Sequence, residues 1–544
     1  MAGRIINFNR NQINIADWLQ FHPYEKPANY DYYYLRLCKE IQGIILSGKH
    51  KTFSGYFDNE EINSLACFMV SYFEDIITGT GIWQAFTKEH KALYGKYLPF
   101  YQVDEYYPKE INCEDVFFLL WYFVSSLYYE EKTFLPVSGN IIQLGVEVFQ
   151  VFEREYEFAP ENIKLREFLN VSLEENDYYK LRYKIEWLVM DSYLFHFNRI
   201  WSDAEILELI EDKDGDGIIG RNMDMFVYEI RDLYINNKTS PLLALRGKDW
   251  LAGIVGKNHE LYKDIRNLSL KKTGFFLFQK EDENYLYFQH IATDTIIPVT
   301  KISLKSNSEF REGETIVLIS FVKWKDDWWF TGTYSIYTYN ANLILDEKNS
   351  VASRALFSDI DRQKEVLKLQ YNAFLDLNKN SLLVFLQDKD SLNTFMKTFN
   401  KFYNKSLNLS KKERGKAKER VNKKGYFGDE NKFIEDIKEF DDIPSIIFFN
   451  QKSGIEIIFG FNEIIPDPKN PEYNPDVDPA NALNLLYSDD FSAEFINFII
   501  EKYDLSGMKF PGEAEDPILK DNLDFMLRFL KRDNYFSKPQ VTLI

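Results

Sequence analysis

The feature that most narrows the fold is a run of short apolar segments between Lys271 and Tyr337, each closed by turn-forming or charged residues. In order these are Gly274–Phe278, Tyr285–Phe288, Thr295–Ile297, Thr315–Val322 and Trp328–Tyr337. Glu281-Asp282-Glu283-Asn284, Asn307-Ser308, Glu312-Gly313-Glu314 and Lys325-Asp326-Asp327 separate them. Brief apolar runs punctuated in this way spell a small all-β unit. The spacing predicts an SH3-like or barrel-like β module over residues 271–340.

The flanks read differently. Residues 1–240 carry apolar stripes at helical spacing, such as Tyr33, Leu35, Leu37, Ile41, Ile44 and Ile45. Helical segments are predicted at Glu61–Ile77, Cys113–Tyr129, Asn140–Phe152 and Tyr178–Phe197, with prolines in the joins. Residues 241–270 read as a connector with a short helix over Lys257–Leu268, and 340–354 as a second link. Residues 355–544 mix both patterns, with helices at Asp361–Leu375, Ser391–Tyr403, Phe433–Phe440, Ala493–Tyr503 and near Leu519–Arg532. A strand at Ser381–Gln387 and a hairpin of Ile446–Asn450 with Ile455–Phe461 accompany them, Gly454 supplying the turn's positive φ. The expected class is a multidomain α+β protein: helical N-terminal domain, small β module, and α+β C-terminal domain with a basic insertion at 405–430.

Charge narrows the function. With 65 Lys and Arg against 84 Asp and Glu, the net charge of −19 repels phosphate backbones, so nucleic acid is disfavoured as a partner of the whole chain. Cys38, Cys67 and Cys113 are odd in number and lie beside apolar neighbours, as buried reduced thiols do. The longest apolar run, Val116–Val124, is about half of a membrane span. The first residues lack the apolar core of a secretion signal, and a cytoplasmic protein without a membrane partner is expected.

Three local patterns bear on chemistry. Asp212-Lys213-Asp214-Gly215-Asp216-Gly217-Ile218-Ile219-Gly220 matches the first nine positions of a calcium loop in its oxygen ligands, its turn glycine at six and its apolar residue at eight. Asp212, Asp214 and Asp216 are the candidate Ca2+ ligands, although Met223 stands where such loops place a bidentate carboxylate. The competing reading is an acidic turn between two helices. Along the aromatic run Trp324 to Phe330, strand alternation sends Trp328 and Trp329 to opposite faces. One of them is therefore either covered by neighbouring structure or left, with Trp324, as a partner platform. Lys411, Lys412, Arg414, Lys416 and Lys418 head a basic run that reads as a solvated insertion or an acidic-partner or RNA contact. The six histidines fall in no metal-ligand spacing, and no phosphate loop or nucleophile elbow is present.

Asp17-Trp18-Leu19 with His22-Pro23-Tyr24, Glu114-Asp115-Val116 through Trp121, and Trp328-Trp329-Phe330-Thr331-Gly332 resemble a bacterial family known only as a domain of unknown function. That resemblance implies no activity, substrate or catalytic residue. The functional expectation is a non-catalytic interaction protein that holds a protein partner. Two alternatives stay open: an enzyme with a distributed, metal-dependent site at a domain junction, and a nucleic-acid-associated protein using the basic insertion. Calcium titration followed by melting temperature checks the acidic loop; a site predicts a rise at millimolar calcium, and no rise removes it.

Overall fold

Helices in the N-terminal region begin where the sequence supplies acceptors for the free amides of a first turn. Asn14 opens Ile15–Leu19 by accepting from Ala16 N at 2.8 Å, while Asp17 accepts from Asn14 N at 2.8 Å. Asp58 and Glu61 do the same for Asn59–Thr78, which stops at Gly79 with φ 67°. Asp75 then caps the next helix, Ile82–Tyr94. Its oxygens accept from Gly81 N at 3.0 Å, Trp83 N at 2.7 Å and the Tyr193 hydroxyl at 3.0 Å. A carboxylate at that position also meets the positive end of the helix dipole.

The computed structural model describes residues 12–128, 134–213, 223–306, 308–357, 360–407, 410–424, 443–477, 479–488, 490–503, 505, 508–510 and 518–537. By internal contacts the chain forms two units, Met1–Phe357 with Phe510–Arg532, and Ser358–Lys509 with Asp533–Ile544. Expected helices appear as Asn59–Thr78, Cys113–Leu127 and Gly139–Glu155. The stretch Tyr178–Phe197 is broken: a helix runs over Tyr178–Met190, and another restarts at His196. Ser192 is extended there (ψ 151°), and its hydroxyl donates to Leu188 O at 2.5 Å, an acceptor a continuing helix would have used. Cys38 and Cys67 are buried free thiols, and Cys113 is half-buried.

Two stretches read as links are folded structure. Within 241–270 the helix Gly247–Val255 buries Trp250 and Leu251, and Trp250 Nε1 donates to Ser240 Oγ at 2.7 Å. A Cβ at Gly247 would lie 2.5 Å from Ile185, so only glycine allows this helix its approach. Residues 340–354 hold helices Ala341–Asn349 and Val351–Ala355, the first started by the Asn340 side chain. The Leu523–Lys531 helix, though late in sequence, belongs to the first unit. Phe529 meets Trp121 at 5.3 Å, Phe525 meets Phe100 at 5.5 Å, and Asn522 Oδ1 accepts from Phe100 N at 3.1 Å.

The predicted β module is a closed five-stranded barrel of β1 (Lys272–Glu281), β2 (Tyr285–His290), β3 (Ile296–Thr300), β4 (Thr315–Trp324) and β5 (Asp327–Thr338). Its order is β1-β2-β3-β5-β4, with β4 returning to β1 and a single parallel pair, Val299 with Trp328, joining β3 to β5. Among five-stranded barrels this Greek-key order is the OB type. Phe276, Phe278, Leu286, Phe288 and Phe321 fill the interior, as their period-2 spacing requires.

In the second unit β6 (Leu383–Leu386), β7 (Ser445–Asn450) and β8 (Gly454–Phe459) form an antiparallel sheet in that order, and Gly454 has the expected positive φ of 111°. Helices Ile360–Leu377 and Lys389–Ser406 contribute Phe374, Phe399 and Tyr403 to a core with Phe449. The helix expected at Phe433–Phe440 lies outside the described residues. Among the described residues no single helix is long and apolar enough to cross a membrane.

Asp115 is fully buried and accepts from Tyr72 OH at 2.8 Å, Tyr106 OH at 2.9 Å and Asn112 Nδ2 at 3.1 Å. Burial pushes its carboxyl up to about 7, against the pull of those donors. An unfolded Asp titrates near ~3.9, so between there and pH 7 the folded state keeps a proton that the unfolded chain has lost. Its stabilising contribution is complete below the unfolded value and is lost as pH rises through about 7. Asp115→Asn is therefore expected to flatten the fall in melting temperature between pH 5 and roughly 7.5. A slope equal to that of the unmodified protein would contradict this assignment.

Candidate functional site

Within the first unit, one outer side of the barrel is seated on helices and another is left to solvent. The seat is built from buried charge. Lys271, just before β1, carries its ammonium 2.9 Å from Asp232 Oδ2 and beside Glu229, both on the helix Met223–Asn236. Asp232 Oδ1 also accepts from Arg182 Nε at 3.2 Å, Asn236 Nδ2 at 3.0 Å and Thr331 Oγ1 at 2.8 Å. Two cations thus face two carboxylates, and Thr331 ties β5 into the same network. Buried charges of opposite sign hold when each is paired and hydrogen-bonded.

Gly332 makes that approach possible. Its φ is +74°, and an added Cβ would lie 2.5 Å from Glu229 Oε1 and 2.9 Å from Lys271 Nζ. Alongside, Trp329 packs on Tyr178 and Tyr179 with centroids 6.2 and 5.8 Å away. Lys325 in the β4–β5 turn donates to Asn176 Oδ1 at 2.6 Å.

The outer side of β1–β2–β3 offers a different surface. β2 turns Leu286 and Phe288 inward, so Tyr285 and Tyr287 face outward, 6.5 Å apart by centroid. Across the β2–β3 register, Tyr287 sits opposite Pro298 and Gln289 opposite Ile296, which is 57% exposed. Gln279 donates to Gln289 Oε1 at 2.7 Å, and Lys280 lies over the Tyr287 ring at 5.0 Å. The rim is acidic. Tyr287 OH donates to Asp282 at 2.7 Å and Tyr285 OH to Asp327 at 2.9 Å, and these bonds push both phenols upward.

The residues singled out from the sequence are not gathered here. Trp324 and Trp329 are buried, 1% and 3% exposed, and Trp328 is half-buried against the barrel core. Tyr178 and Tyr179 cover Trp329, and Trp328 packs in part on the barrel core. Asp214 and Asp216 lie outside the described residues, as does the side chain of Asp212 at the end of the helix His196–Lys213. Lys411, Lys412, Arg414 and Lys416 are exposed on the helix Lys411–Lys424, started by Ser410 and Glu413; the Lys418 side chain is not described. Tyr285 and Tyr287 belong to a segment the sequence marks as a strand, and only their alternation with Leu286 and Phe288 signals an outward face.

The fold so described is a helical array carrying an OB-type barrel. A family model with the description "Protein of unknown function (DUF3843)" matches residues 12–283, half of the 544-residue chain. The chain belongs to that family, and the match takes in the helical region and β1. No curated protein and no solved structure matches it.

Gly332→Ala is expected to cost roughly 2–4 kcal/mol, combining left-handed strain with a clash against the buried ion pairs. Gly313→Ala is the control: φ is +69°, but nothing lies within 4 Å of the added Cβ. That variant should lose only about 1 kcal/mol. Equal losses in denaturant melts would mean that close packing at Gly332 is immaterial.

Proposed function

We propose that this protein is a non-catalytic, cytoplasmic interaction protein, and that the outward β1–β2–β3 side of the barrel holds a protein partner. The observation that carries the reading is the Tyr285–Tyr287 pair with Pro298 and exposed Ile296, on a barrel whose other side is spent on its helical seat. Aromatic groups on a rigid sheet offer large contact area with little ordering cost. Asp282 and Asp327, bonded to the two hydroxyls, disfavour a phosphate backbone and suit a Lys or Arg side chain set over Tyr285, the Tyr287 ring being covered by Lys280. The partner segment is accordingly extended and basic.

The surface is tested by affinity purification of the full chain beside a Tyr285→Ala/Tyr287→Ala variant and a Lys411→Ala/Lys412→Ala variant. A stoichiometric companion lost only from the tyrosine variant is the expected result, with circular dichroism showing an unchanged fold. Companions identical in all three preparations would end the proposal. A second reading, RNA association, is favoured by the exposed Lys411, Lys412, Arg414 and Lys416 on one formed helix. It predicts RNA retention that falls with salt and is lost from the lysine variant.

A further inference from the structure

Away from the barrel, the N-terminal helices enclose a ring of polar groups that the proposed contact surface does not use. The ring starts and ends at Trp18. Its Nε1 donates to Asp31 Oδ1 at 3.0 Å, and the same oxygen accepts from Tyr24 OH at 2.9 Å. Asn162 Nδ2 donates to Tyr24 OH at 2.6 Å and to Glu74 Oε1 at 2.9 Å. Glu74 Oε2 faces His22 Nε2 at 2.7 Å, and His22 Nδ1 closes the ring on Trp18 O at 3.1 Å. Asp31 is 0% exposed, Glu74 1%, Asn162 0% and His22 7%.

Two features of this ring go beyond a cluster of satisfied groups. The first is tautomeric. A carbonyl oxygen only accepts, so Nδ1 of His22 carries its proton there, and Nε2 presents a lone pair to a carboxylate oxygen. At 2.7 Å that contact requires a proton or another cation between or beside the two atoms. A backbone carbonyl fixing one ring nitrogen while the other faces a carboxylate is the outer-shell arrangement of metal-binding histidines.

The second feature is net charge. Even with His22 as imidazolium, the three groups sum to one negative charge in a space closed to water. Asp31 meets only neutral donors there: Trp18 Nε1, Tyr24 OH and, at 2.6 Å, Ala28 N. The hydroxyl groups near the ring, those of Tyr24 and Tyr34, supply no positive charge: Tyr24 OH donates to Asp31, and Tyr34 OH donates to Pro160 O. Lys164 stays over the Tyr24 ring and donates to Lys26 O at 3.0 Å.

A divalent cation resolves both. One ligand atom from each of His22, Asp31 and Glu74 lies within 4.8 Å of the others; donors on one ion at roughly 2.0–2.2 Å stand at most about 4.4 Å apart, so a small inward adjustment of the side chains brings all three onto one ion. Two carboxylates and a neutral imidazole then balance two positive charges. Mixed nitrogen and oxygen donors suit zinc or manganese better than calcium or magnesium, which take oxygen. We propose that His22, Asp31 and Glu74 bind one divalent transition-metal ion, zinc or manganese, which takes the place of the proton shared by His22 and Glu74. Asn162, Tyr24 and the Trp18 carbonyl are positioning groups, each holding a ligand's other atom or lone pair.

The full chain, stripped with chelator, is titrated with Zn2+ and Mn2+, with Mg2+ and Ca2+ as controls. Expected are one bound equivalent, release of about one proton, and a melting temperature raised by roughly 3 °C or more in excess metal. Glu74→Gln and Asp31→Asn preserve side-chain volume and should weaken binding at least about tenfold. Asp212→Asn/Asp214→Asn/Asp216→Asn should leave it unchanged, which separates this site from the acidic loop. Co2+ in the unmodified chain should give visible absorption bands of a nitrogen-ligated ion, a readout that stands if the Glu74 or Asp31 variant does not fold. The proposal is overturned by absence of saturable Zn2+ or Mn2+ binding at 100 µM. Equal binding in folded Glu74→Gln and Asp31→Asn overturns it too, as does a Co2+ spectrum without nitrogen ligation.

Discussion

The first unit depends on a bargain struck between Asp232 and the charges around it. A carboxylate with no exposure is tolerable only when cations and hydrogen-bond donors surround it. Here the donors come from separate parts of the chain: Arg182 from one helix, Asn236 from its own, Lys271 from the entry to β1 and Thr331 from β5. No one of these segments can shift without stranding charge in the interior. The barrel is consequently held both where its chain enters and along its last strand.

That fixity decides which barrel side is available. Trp329 and Lys325 engage the helical region, so the strands on which they sit or which they connect are committed. The tyrosines of β2 point away from the inward-facing Leu286 and Phe288, as strand alternation demands. A surface mounted on so constrained a scaffold needs little ordering when something binds.

Local chemistry was legible in the sequence; distant pairing was not. The barrel strands, the Cys113–Leu127 helix and the Gly454 turn follow from apolar period and turn residues within a few positions. Trp329 illustrates the boundary. Alternation shows that it and Trp328 part ways, but only the fold shows Tyr178 and Tyr179 covering it. Lys271 and Asp232, or His22 and Glu74, are widely separated in sequence, and nothing local marks them as partners. The helix Gly247–Val255 has too short an apolar stripe to stand out from a link, yet Trp250 and Leu251 lie in the core. Where the chain returns to the first unit was equally invisible, since an amphipathic helix carries no address.

That return has a consequence for synthesis. The chain leaves the first unit at Phe357 and re-enters it at Phe510, bringing the helix that covers Phe100 and Trp121. At ribosomal speeds of 5–20 residues per second, the intervening stretch takes on the order of 10–30 s to emerge. For that interval Phe100 and Trp121 lack the aromatic cover that Phe525 and Phe529 supply in the finished fold, so the first unit completes its core only when the last stretch of the chain is made.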